Sequence, residues 1–233
     1  MSITEEELTL ANRVVEALRR DILTGVLEPG MKLRIEGLRE RYGVGASPIR
    51  EALSQMVAEK LVLRLDHRGF RVVGADIAEL EELIQTELII SVAALRASVQ
   101  HGDVEWEERL VLAHRRLALT PRSLDEHHYR PNPVWQQLHR AYHVALVDAC
   151  GSEQTISICG DVHDRQTRFR ILYNRITQWP RRDVAGEHRE ITEAALAHDT
   201  ELASNLLTEH LTRTADFLRE TLREKQEVMN KAR

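Results

Sequence analysis

The chain has 233 residues, 42% hydrophobic and 30% charged, enough for one large or two smaller domains, and aromatic residues at 4% leave Leu, Ile, Val and Ala to fill a core that suits helices better than a β-sandwich. No apolar run reaches the roughly 20 residues of a bilayer span, the acidic start around Glu5, Glu6 and Glu7 lacks a signal pattern, and Cys150 and Cys159 make no disulfide framework, so the expectation is a cytoplasmic protein with small buried thiols and no membrane partner. The net charge of −5 excludes a uniformly basic nucleic-acid binder, but residues 1–75 hold 12 Lys+Arg against 11 Asp+Glu and residues 76–233 hold 20 against 26, a bias of the right sign for phosphate contact at the N-terminal end.

Leu8, Ala11, Val14, Val15, Leu18, Ile22 and Leu23 recur at helical spacing, and Gly25 ends that helix. Leu27-Glu28-Pro29-Gly30 reads as a turn, because Pro fixes φ and Gly accepts a positive φ. A short extended stretch through Met31 and Leu33 leads to a second helix, about 35–42, stopped by Gly43. Ser47 is read as the N-cap of a third helix with Pro48 at its first position. Ile49, Leu53, Met56 and Val57 give that helix a core stripe, and Arg50 and Ser54 fall on another face. Two short helices around a Gly turn follow the helix-turn-helix plan. Alternation in 61–65 and 70–73 about Asp66-His67-Arg68-Gly69 predicts a β-hairpin wing, whose tip residues His67 and Arg68 could reach a groove or a phosphate.

From Asp76 onward the pattern is helical throughout, over about 76–100, 103–119, 134–150, 153–176, 184–198 and 200–226. Asp103 and Asp183 are placed as N-caps, and prolines at 121, 131 and 133 bound an irregular loop. The predicted fold class is therefore mainly α: a winged helix-turn-helix with a small hairpin over 1–75 and an all-helical bundle over 76–233 with room for a ligand.

The runs Leu27–Leu33, Tyr42–Leu53 with its Pro-x-Arg-Glu-Ala-Leu segment, and Arg68-Gly69-Phe70 resemble the GntR family of bacterial regulators. The resemblance implies DNA contacts from Ser47 and Arg50, a backbone contact from Arg34, and a Gly69 that lets the wing enter the minor groove. Ala46 departs from the pattern, since the family often carries Arg there. A helix N-terminus at Ser47 would present N–H groups to a phosphate, and Arg50 would read a guanine edge. One short helix spans few base pairs, so a homodimer on a palindromic operator is expected.

The second part resembles the FCD ligand-binding domain of the FadR subfamily, through Ala141–Leu146 with Ala149-Cys150-Gly151-Ser152, Glu187–Ile191 and Ala203–Leu211. By that resemblance His143, His188 and His210 bind a divalent metal, zinc with nickel or manganese as alternatives. His139 stands where the family has Asp, and it is either a fourth ligand or a pocket residue. Spacing alone is uninformative here, because a chain with 11 histidines is expected to give roughly 0.5 such i,i+4 pairs by chance. The resemblance also implies a small carboxylate effector, with Arg165, Arg168 and Arg96 as candidate grips. Where the family carries Arg and Glu four apart on the first helix of this domain, the chain has Glu87 and Ser91. His114, His163 and His198 match no motif and are read as ordinary core or surface histidines. The function expected is a ligand-responsive DNA-binding regulator, a repressor rather than an enzyme. Two alternatives are a regulator whose helical domain only dimerises, and a metal-dependent hydrolase with Glu187 as base.

Overall fold

In a computed structural model, which describes residues 5–23, 25–65, 69–74, 76–125, 130–174 and 182–231, the chain divides into two compact units, Met1–Ala75 and Asp76–Arg233. The first unit is built on helix α1 (Glu5–Leu23), which turns Val14, Leu18 and Ile22 inward at spacings of four. These residues meet Ile49, Leu53 and Met56 of α3 (Ala46–Ala58), all fully buried, in one apolar cluster. Burying each such side chain contributes about 1.5–3 kcal/mol. Between them α2 (Ile35–Tyr42) ends at Gly43, whose φ of +66° places it in the left-handed region favoured by glycine. Asp21 fixes α1 to α2 by accepting from Arg41 Nε at 2.8 Å and from Tyr42 Oη at 2.9 Å.

The predicted hairpin is present as β2 (Val62–Leu65) and β3 (Gly69–Val72), paired antiparallel with Val62 opposite Val72. The extended stretch before α2 joins it: β1 (Lys32–Leu33) pairs with the other edge of β3, so the order is β1-β3-β2. One local expectation is corrected. Helix α3 begins at Ala46, its N-cap is Gly45, and no side chain caps it; Ser47 is therefore inside the first turn, not at the cap. Pro48 is tolerated there because the first turn has no internal acceptor for its missing N–H.

The second unit comprises α4 (Ile77–His101), α5 (Val104–Ala118), α6 (Pro133–Val147), α7 (Glu153–Asn174), α8 (Val184–Leu196) and α9 (Thr200–Lys231). Side chains cap all six of these helices: Asp76, Asp103, Asn132, Ser152, Asp183 and Asp199 accept from Ala78, Trp106, Val134, Thr155, Gly186 and Leu202 N–H groups respectively. Leu95, Trp106, Leu110, Tyr142, Leu146, Ile191 and Leu207 form a common core. Two polar tips in that core are satisfied by backbone: Trp106 Nε1 donates to Ala145 O at 2.9 Å, and Tyr142 Oη donates to His188 O at 2.9 Å. A Cβ at Gly102 would lie 2.1 Å from the Trp106 ring, so the α4–α5 turn admits only glycine in this packing. Cys150 and Cys159 are free thiols, Cys159 buried. Among the described residues no helix is long and apolar enough to cross a membrane.

Candidate DNA-reading face and histidine-centred cavity

On α3 the buried residues Ile49, Ala52, Leu53 and Met56 leave Ser47, Arg50 and Ser54 exposed on the opposite face. Ser47 to Arg50 to Ser54 are steps of three and four, so these side chains line one strip. Ser54 Oγ donates to the Arg50 carbonyl at 2.9 Å, while the Arg50 guanidinium has no hydrogen-bond or ionic partner among the described residues. Arg34 is exposed at the N-cap of α2. Gly69 opens β3 with φ +86°, opposite Leu65. His67 and Arg68 lie outside the described residues.

In the helical unit the four predicted histidines come together. His139 and His143 project from one face of α6, His188 from α8 and His210 from α9. One ring nitrogen from each lies within 4.8 Å of the others. His139, His188 and His210 are buried, and the Nε2 atoms of His139 and His143 face each other at 3.1 Å. His139 Nδ1 and His188 Nε2 are buried with no hydrogen-bond partner. Burial, reinforced by the neighbouring rings and Arg170, pushes the pKa values of His139 and His143 well below the usual histidine value, and His188 is lowered by burial and its neighbours in the same way. Neutral imidazoles with lone pairs converging from three helices match the donor chemistry of a divalent transition metal.

The surroundings support one ligand in a specific way. His210 Nδ1 donates to Glu187 at 2.7 Å, which leaves its Nε2 available as a ligand atom. Glu187 is also gripped by Arg182, whose Nε donates at 2.7 Å. Burial would raise the Glu187 pKa, but the hydrogen bonds from His210 and Arg182 outweigh it and hold the carboxyl well below the usual carboxylate range. Glu187, the expected base of the hydrolase alternative, is thus committed to positioning His210.

Other expectations are revised. Arg165 pairs with Glu79 at 2.9 Å, and Arg96 pairs with Glu201 on an exposed surface; neither lines the histidine cavity. Arg168 sits on α7, and its side chain is outside the described set. The cations that do line the cavity are Arg122, Arg170 and Arg182. Arg122 and Arg182 lie outside the helices, where no periodic signal tells which way a side chain points. His163, read as ordinary, is buried on α7 with its ring centroid 5.0 Å from those of His139 and His143. Its Nε2 is 3.0 Å from Arg170 Nη2 and so accepts from that guanidinium, which removes it from the set of free ligand atoms. Glu87 is also buried against this cavity, where burial raises its pKa and the charge of Arg170 opposes the rise.

A solvent-facing polar strip carrying Arg50 on a winged helix-turn-helix, joined to an all-helical unit, defines a DNA-binding transcription regulator. The chain belongs to the gntR family of bacterial regulatory proteins, whose family model matches residues 10–72, and it carries an FCD domain matched over residues 82–213. It is 37% identical over 220 residues to BphR, an uncharacterized HTH-type transcriptional regulator of Paraburkholderia xenovorans (strain LB400), covering 91% of this chain and 86% of that one. It is 33% identical over 203 residues to the HTH-type transcriptional repressor GlaR of Escherichia coli (strain K12), covering 83% and 89% of the two chains. The fold is similar to that of E. coli McbR/YncC, with a TM-score of 0.75 at 18% identity over 91% of this chain and 98% of that one. Both families consist of transcription regulators rather than enzymes.

Proposed function

We propose that this regulator is a cytoplasmic repressor that binds a palindromic operator as a homodimer and is tuned by a small carboxylate held at a metal-centred cavity. The single observation that carries the sensing part is the convergence of four imidazole nitrogens within 4.8 Å. His139, His143, His188 and His210 would hold the ion, with Glu187 fixing the ring of His210. An all-imidazole set favours zinc or nickel over manganese, which prefers carboxylate and carbonyl oxygen. The bound metal would offer a Lewis-acidic position to a carboxylate oxygen. Arg122 and Arg170 would supply positive charge for an anion in a desolvated site, beside an Arg182 already paired with Glu187. The likeness to GlaR, which is described as a repressor, supports that direction of control.

At the DNA, Ser47, Arg50 and Ser54 would enter the major groove, with Arg34 and the wing residues His67, Arg68 and Gly69 on the backbone or minor groove. The effector shifts operator affinity only by as much as it distinguishes the two DNA-binding states. The test combines metal analysis of the purified protein with operator titrations at fixed ionic strength, with and without chelator, across a series of carboxylates. About one metal per chain is expected, with an acid response that chelation removes. Operator affinity indifferent to every acid and metal would sink the sensing part and leave a regulator whose helical unit only dimerises.

A further inference from the structure

The histidine chamber is small, about 20 Å³, enough for little more than a water or a carboxylate group. Beside it lies a cavity of about 290 Å³, near the lower end of small-ligand sites. Arg122, Trp135, Arg182 and Val184 line both, so the two spaces share a wall of two guanidiniums and an indole. Arg122 lies over the Trp135 ring at 5.0 Å. The charge of Arg182 is already met by Glu187.

Beyond that junction the larger cavity changes character. Leu117, Ala118, Val184 and Ala185 give it apolar walls. Its remaining charged lining residue is Asp183, whose carboxylate caps α8 by accepting from Gly186 N at 2.8 Å. His114 lines it too, and burial lowers its pKa, so it adds no cation near neutral pH. A second carboxylate placed beyond the junction would meet Asp183, and the larger cavity offers it no guanidinium other than Arg122 and Arg182.

We propose that the larger cavity is a subsite for an uncharged apolar body, and that the effector is a monocarboxylate with an aryl or alkyl body rather than a short dicarboxylate. This rests on the carboxylate reading of the histidine chamber given above. In this arrangement the head reaches the histidines past Arg122 and Arg182, and the body lies on Trp135, Leu117 and Ala185. Each methylene that leaves water in the subsite tightens binding about fourfold.

The experiment is calorimetric titration of the full-length zinc-loaded protein with acetate, hexanoate, phenylacetate, succinate and glutarate. Hexanoate and phenylacetate are expected to bind at least about 30-fold tighter than acetate, in line with several buried methylene equivalents, and succinate and glutarate no tighter than acetate. Ala185 is exposed on the first turn of α8, so Ala185→Trp fills the subsite without disturbing the core. That variant is expected to weaken phenylacetate about tenfold or more and to leave acetate affinity and zinc content within about twofold. Ala118→Trp tests the opposite wall in the same way. Glutarate binding more tightly than hexanoate, or phenylacetate affinity unchanged in both filled variants, overturns the subsite and leaves the carboxylate reading standing. If none of the five acids binds the zinc-loaded protein, the carboxylate reading falls and the subsite with it.

Discussion

Among its described residues the N-terminal unit buries one charged side chain, Asp21, and pairs it at once with Arg41 and Tyr42. The helical unit buries Glu87, Arg170, His139, His163, His188 and His210 in one neighbourhood. The first unit keeps its chemistry in water, on a face whose guanidinium is free to exchange solvent for phosphate or a base edge. The second has already removed its chemistry from water, and the buried His139 Nδ1 and His188 Nε2 left there without hydrogen-bond partners cost stability. A surface of the first kind can be edited with little effect on folding. A site of the second kind couples folding, protonation and ligand.

The sharpest way to break that contrast is to remove one imidazole. His143→Ala is expected to lower metal affinity more than about 100-fold, beyond the 10–100-fold typical of an outer partner, while effector-free operator affinity stays within about twofold. Metal analysis and operator titration of one preparation check both halves; full metal content would dissolve the distinction. The reciprocal change, Arg50→Ala, is expected to weaken specific operator binding by about 10- to 100-fold, the equivalent of about 1–3 kcal/mol, with metal content and melting temperature unaltered.

Acid sharpens the comparison further. The folded chain holds His139, His143, His163 and His188 neutral, their pKa values pushed by burial well below the ordinary 6.5. Below about pH 6.5 the unfolded chain takes up protons that the folded one refuses. Stability of the metal-free protein is therefore flat above that pH and falls as pH drops toward the folded values. Hydrogen exchange at pH 7.5 and 5.5 should show protection lost in α6 and α8 before α1 and α3; equal loss in both units would contradict this. The smallest effect expected is that of Gly43→Ala. Its φ of +66° makes any side chain strained, at a cost of about 1 kcal/mol, read as a drop of about 2–4 °C in the melting transition.

The same contrast explains what could be read from the chain before folding. The Pro-Gly turn at 29–30, the Gly43 stop and the Gly69 hairpin are local signals, and each falls where expected. Even so, Ser47 misled: a Ser-Pro pair signals a helix start, but the first turn tolerates Pro at more than one position, and α3 begins at Ala46. The second unit's helices follow from apolar periodicity, and its caps at Asp103 and Asp183 from residue type. Its cavity did not follow in the same way. His139, His143, His188 and His210 were picked out only by family resemblance. Arg122, Arg182 and His163 were missed because convergence in space leaves no period in the sequence. Arg96 and Arg165 pair with Glu201 and Glu79, and an arginine on a helix does not announce whether such an acid awaits it.

The stacking of Trp135 on His139, with ring centroids 4.5 Å apart and planes inclined by 16°, makes the indole an optical reporter of that imidazole. An imidazolium quenches indole emission more strongly than a neutral ring, so the fluorescence of Trp135 tracks the charge state of His139. Emission should therefore change with acid and with loading of the histidines in the unlabelled protein, and Trp135→Phe should remove the part of the change that follows His139.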